Sequence, residues 1–85
     1  PRTLLLVDDN RPLADNLREI LEDAGYAVRI ALGCAQALAI EPDYAVALVD
    51  VRLPDGDGTA LAAELKQRKP DLEVILLTGF ATLES

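Results

Sequence analysis

A doubly wound α/β fold, a parallel sheet with helices on both faces, is what this sequence predicts. Three observations predict it. Apolar runs and helix-period segments alternate along the chain in the order βαβαβαβ. Three of the four strand candidates, TLLLV (3–7), AVALV (45–49) and EVILL (73–77), are continuously apolar rather than alternating. Such runs mark a sheet covered on both sides. The helix candidates are bounded by residues that start or stop helices.

The elements follow in order. Residues 3–7 form the first strand. Leu13, Leu17, Ile20, Leu21 and Ala24 then recur at helical spacing, with Pro12 suited to the first turn and Gly25 to the stop. Residues 27–32 (AVRIAL) alternate like a half-buried strand. Residues 34–40 are rich in alanine and leucine and read as a short helix ended by Pro42. Residues 45–49 are the third strand. The stretch VRLPDGDG (51–58) is dense in turn formers. Residues 59–69 are helical, with Leu61 and Leu65 on one face and Pro70 as the stop. Lys66, Arg68 and Lys69 suit the negative end of that helix. Residues 73–77 are the fourth strand, and Thr78, Gly79 and Phe80 follow it.

Composition bounds the function. Eighty-five residues allow one small domain. With 51% hydrophobic and 27% charged residues the chain is globular, and with 4% aromatic its core must be aliphatic. Fifteen acidic residues against eight basic give a net charge of −7. That balance argues against a nucleic-acid module, which needs a basic face, and favours cations and basic partner surfaces. There is no histidine and one cysteine, Cys34. An intrachain disulfide, an imidazole zinc site and a Ser-His or Cys-His pair are therefore excluded within this chain. No apolar run approaches the roughly 20 residues of a membrane span. No leader pattern is visible either, so a cytoplasmic setting is expected.

In doubly wound sheets the ligand sits beyond the carboxyl ends of the strands. The first run is followed by Asp8 and Asp9, the third by Asp50 and the fourth by Thr78. The strand ending near Leu32 offers nothing ionisable. Three carboxylates in one crevice repel, and without compensation at least one has its pKa raised. A hard divalent cation relieves the repulsion. Magnesium takes one or two carboxylates together with phosphate oxygens. A carboxylate beside it can act as a nucleophile toward a phosphoryl group. Thr78 can donate a hydrogen bond to a phosphoryl oxygen.

Three segments, LLLVDDN (4–10), ALVDVRLPDGDG (47–58) and VILLTGF (74–80), resemble the receiver domain of two-component response regulators in content, order and separation. The resemblance covers essentially the whole chain. It implies a flavodoxin-like sheet of strand order 2-1-3-4. Asp50 would be the phosphoacceptor, charged by a histidine kinase or phosphotransfer domain. Asp8 and Asp9 would form the magnesium pocket, Asp9 the more direct ligand, joined by Asp50 and the backbone carbonyl of Arg52. Thr78 would be the switch hydroxyl. Pro54, Gly56 and Gly58 would shape the loop after the phosphoacceptor. An output domain or downstream protein would read the switched surface, with no direct nucleic-acid or membrane contact by this domain.

The family also has a fifth strand, carrying a phosphate-contacting lysine and a switch aromatic, and a last helix. Residues 1–85 are therefore expected to be a single receiver domain incomplete at its C-terminus. Lys66 and Lys69 lie at the wrong end of a helix to replace the lysine. The fourth strand becomes an apolar edge, open to a homodimer or swapped assembly.

Blander roles stand beside these. Asp8 and Asp9 can cap the following helix. Thr78 can be a plain β-branched strand residue. Asp55 and Asp57 read as turn and cap residues rather than ligands. Cys34 reads as a small apolar residue, and Tyr26, Tyr44 and Phe80 as packing residues, Phe80 being alternatively part of the signalling surface. The side chain of Arg52 stays open. Two other functions compete. One is a pseudo-receiver that only binds proteins. The other is a magnesium-dependent phosphatase or mutase, disfavoured because Arg52 stands where its acid–base aspartate belongs.

Overall fold

The computed structural model describes residues 2–78. Strand β1 (Thr3–Val7) leads to helix α1 (Arg11–Asp23), then β2 (Ala27–Ala31), α2 (Cys34–Ala39) and β3 (Val46–Asp50). A two-residue-per-strand hairpin follows, β4 (Arg52–Leu53) and β5 (Gly56–Asp57), then α3 (Gly58–Arg68) and β6 (Glu73–Leu77). The main sheet has the order β2-β1-β3-β6, and all three pairings are parallel. The expected order is thus found, with the EVILL run as its fourth strand. Turn-rich residues 51–58 add the antiparallel β4–β5 pair, which their turn-forming composition does not predict.

Local chemistry explains the helix ends. The Asn10 side chain accepts from Leu13 N–H at 3.2 Å and Pro12 sits in the first turn of α1. At the other end Gly25 has φ 101°. Gly25 N–H donates to Glu22 C=O and Tyr26 N–H to Leu21 C=O, the paired bonds of a Schellman close. Asp57 caps α3 through Thr59 N–H at 2.9 Å. The cations at the end of α3 do more than meet its dipole. Arg68 donates to Leu38 C=O of α2 at 3.0 Å, and Lys69 donates to the carbonyls of Pro42 and Tyr44 just before β3. These bonds tie α3 to the exit of α2 and the entry of β3.

The sheet divides the core in two. On one face Leu5, Val7, Ala47 and Val49 meet Ala37 of α2 and Leu61 and Leu65 of α3, with Tyr44 and Leu72 closing the bottom. On the other, Leu4 and Leu6 meet Ala14 of α1, with Leu17, Leu21, Tyr26, Val28, Ile30, Val46, Leu48 and Leu77 packed around them. Tyr26 and Tyr44 are packing residues as expected, and Cys34 is a half-buried member of the first cluster. Of the apolar α1 positions named from periodicity, Leu17 and Leu21 pack on the sheet. Leu13, Ile20 and Ala24 do not, and Ile20 is 63% exposed. Periodicity identifies an apolar stripe, and among the described residues no second helix flanks α1 to cover its edge.

Candidate functional site

Register brings the acidic residues together. Val7 pairs with Val49, and Asp50 pairs with Leu77. The residue after Val7 is therefore level with Asp50, and Thr78 follows one step beyond. Asp8 continues β1 by donating its N–H to Ala31 C=O at 3.0 Å. Asp8, Asp9 and Asp50 each offer a carboxylate oxygen, and these oxygens lie within 4.8 Å of one another. All three line one open crevice of about 1000 Å³, together with Thr78 and Arg52. Every residue singled out from the strand ends thus reaches the same place. Phe80 lies outside the described residues.

The three carboxylates are not equivalent. Asp8 is buried at 2% exposure, whereas Asp9 is exposed and Asp50 half-buried. Burial pushes the Asp8 carboxyl above its usual range, and the nearby charges of Asp50 and Asp9 push the same way. Asn10 N–H, donated to Asp8 Oδ1 at 2.9 Å, pulls against them. Asp50 is aimed by its own loop, since Arg52 N–H donates to Asp50 Oδ1 at 3.0 Å. Neither Asp8 nor Asp9 caps α1. That role falls to Asn10, which the sequence reading did not single out although an Asn two residues before a proline is a recognisable cap.

Gly58 shows why the loop ends where it does. A Cβ on Gly58 would lie 1.9 Å from the backbone oxygen of Asp50. Only glycine lets the start of α3 sit against the phosphoacceptor candidate, where Gly58 N–H donates to Val51 C=O at 2.8 Å. Asp55 and Asp57 are caps, as read, but Asp55 caps a helix that is distant in sequence. It accepts from Cys34 N–H at 2.7 Å and Ala35 N–H at 3.0 Å. Nothing local in the sequence signals that contact.

The donor set suits a small hard cation: three carboxylates converge, one of them buried and held in an unfavourable charged environment. Oxygen ligands of this kind are those that hard divalent cations take. A family model described as the response regulator receiver domain matches residues 4–85. The chain belongs to this family.

Its relatives agree. The chain is 38% identical over 86 residues to the photosynthetic apparatus regulatory protein RegA of Cereibacter sphaeroides, covering 96% of this chain and 46% of that protein. The chain spans a little under half the length of that relative. Among solved structures, a CheY-like receiver domain of Methanospirillum hungatei superposes with a TM-score of 0.88 at 36% identity, over 98% of this chain and 68% of that one. TrrA of Thermotoga maritima, solved with Mg(2+)-BeF, superposes at 0.86 with 28% identity, over 96% of this chain and 73% of that one. A response regulator of Burkholderia pseudomallei, solved with a phosphorylated aspartic acid and a calcium ion, gives 0.86 at 34% identity over 93% and 48% of the two chains. Receiver domains are signalling domains of two-component systems. Among the described residues no helix is long and apolar enough to cross a membrane.

Proposed function

We propose that this receiver domain accepts a phosphoryl group on Asp50 from a phosphohistidine donor, with magnesium, and switches a protein-binding surface through Thr78. One observation carries the reading: the carboxylates of Asp8, Asp9 and Asp50 converge at the strand ends, in a crevice that Thr78 also lines. Asp8, Asp9, Asp50 and the backbone carbonyl of Arg52 are the residues that would hold the cation. Bound there, magnesium supplies positive charge that offsets repulsion between an anionic nucleophile and an anionic phosphoryl group.

The chain's own groups do the rest. An Asp50 oxygen forms the new P–O bond as the P–N bond of the donor imidazole breaks, leaving a neutral histidine on the donor. Arg52 N–H fixes one Asp50 oxygen and so limits the rotation of the attacking carboxylate. Thr78 lines the same crevice and would be drawn toward the new phosphoryl oxygens. Its movement would reshape the surface read by an output domain or downstream protein. The strongly acidic charge of the domain suits a basic docking surface on the kinase or phosphotransfer partner.

The test is intact mass after incubation with acetyl phosphate and magnesium, for this chain and for one continuing past Ser85. Gain of one phosphoryl group, lost in Asp50→Asn, is the expected result. A folded protein that gains none in either form reverts the reading to an interaction-only receiver.

A further inference from the structure

The hairpin after Asp50 is held at its tip by a helix from another part of the chain. Its two-residue turn, Pro54–Asp55, joins Leu53 to Gly56. From that turn the Asp55 carboxylate spans to the start of α2, one oxygen on Cys34 N–H at 2.7 Å and the other on Ala35 N–H at 3.0 Å. The residue before α2 is Gly33, which has no side chain to cap these donors. Gly33 also leaves the room: a Cβ there would lie 2.7 Å from Asp55 Oδ1. The same bonds hold the Asp55 carboxyl below its usual range, as N–H donors to a carboxylate do. The base of the hairpin is Arg52, whose N–H aims Asp50.

We propose that Asp55 is a positioning residue for the phosphoacceptor site: by clamping the hairpin tip to α2 it holds the Arg52 backbone where that segment can orient Asp50 and serve the metal. This rests on the magnesium-dependent reading above. Asp55 is outside the cluster of Asp8, Asp9 and Asp50 and does not line their crevice, so it acts only through Arg52. Losing a group that orients metal ligands from outside the ligand set typically costs about 10–100-fold in affinity.

Magnesium titration calorimetry tests it, on the wild-type chain, Asp55→Ala, Gly33→Ala, the double variant and Ala35→Gly, with urea unfolding of each. Asp55→Ala is expected to weaken magnesium binding about tenfold, the lower end for such outer groups. Gly33→Ala keeps the carboxylate charge, and its φ of −171° is open to alanine, so it disturbs only the clamp. It is expected to weaken binding similarly and to add nothing in the double variant. Ala35→Gly keeps both N–H donors and weakens α2, and is expected to lower stability without moving the affinity. Asp55→Ala binding within twofold of wild type overturns the clamp while leaving the receiver reading intact. So does Ala35→Gly weakening magnesium as much as Asp55→Ala, because loss of helix alone would then explain the effect. Gly33→Ala binding like wild type points to simple loss of charge and also overturns it. A wild-type chain that binds magnesium no better than Asp50→Asn removes both the clamp and the reading on which it rests.

Discussion

The two faces of the sheet are built from the same kind of strand and are covered very differently. On the first face α2 lies over the β1–β2 half and α3 over the β3–β6 half. Leu5, Val7, Ala47 and Val49 are all fully buried there. On the second face α1 lies mainly over β1 and β2. Leu4 and Leu6 beneath it are buried, but Leu48 of β3 is only half-buried and Ile75 of β6 is 48% exposed. A continuously apolar strand therefore states that a sheet wants two covers. It does not state that both covers lie within the described residues. Stability should accordingly be concentrated on the α2/α3 face, because transfer free energy follows the area removed from water.

Truncation on each face gives the largest expected effect. Leu5→Ala, at 0% exposure between helix and sheet, should cost about 3–4 kcal/mol in urea unfolding. Ile75→Ala, on the open half of the other face, should cost about 1 kcal/mol, since the side chain already meets water. Equal costs would break the comparison and show that Ile75 is covered in solution.

The crevice lies at the top of both faces, and there Asp8 opposes the fold it belongs to. Its carboxyl is raised by burial and by Asp50 and Asp9, so the folded chain binds its proton more tightly than the unfolded chain does. Between the ordinary carboxylate pKa and the raised one, the native state holds more protons, and stability falls as pH rises. Above the raised value the cost is present in full. Asp8→Asn should therefore stabilise the metal-free chain at pH 7 by on the order of 1 kcal/mol and add little near pH 3. Magnesium should stabilise the wild type at pH 7 and leave Asp8→Asn nearly unchanged. A metal-free Asp8→Asn less stable than wild type at pH 7 would mean that the Asn10 N–H bond outweighs burial and repulsion.

Much of this arrangement is legible before any coordinates. Strand β1 and strand β6 fall on the residues read for them, because short apolar runs are bounded by charged or turn residues. Asp8, Asp9, Asp50 and Thr78 follow from one rule about strand ends, and parallel register then does bring them together. What escapes is tertiary. The β4–β5 hairpin reads as loop because Pro54, Asp55 and Gly56 have poor strand propensity, and only four residues pair. The reach of Asp55 to α2 depends on two loops meeting, which no local pattern records. Leu13 and Ile20 read as core because they share the apolar side of α1, yet burial depends on what stands beside that helix.

The smallest effect tests that last point. Ile20 is 63% exposed on the flank of α1, toward which no described element packs. Ile20→Glu should change urea stability by no more than about 0.5 kcal/mol, the usual range for a surface site. The new carboxylate would stand in the last turn of α1, near its negative end, so a small cost of about 0.3 kcal/mol from the helix dipole is part of that range. A loss above about 1.5 kcal/mol would need buried apolar area that the isolated chain does not supply at this position. Self-association would be one source of it, and repeating the measurement over a range of protein concentrations separates the cases: a cost that grows with concentration belongs to an interface between copies, and a constant cost belongs to the fold of one chain.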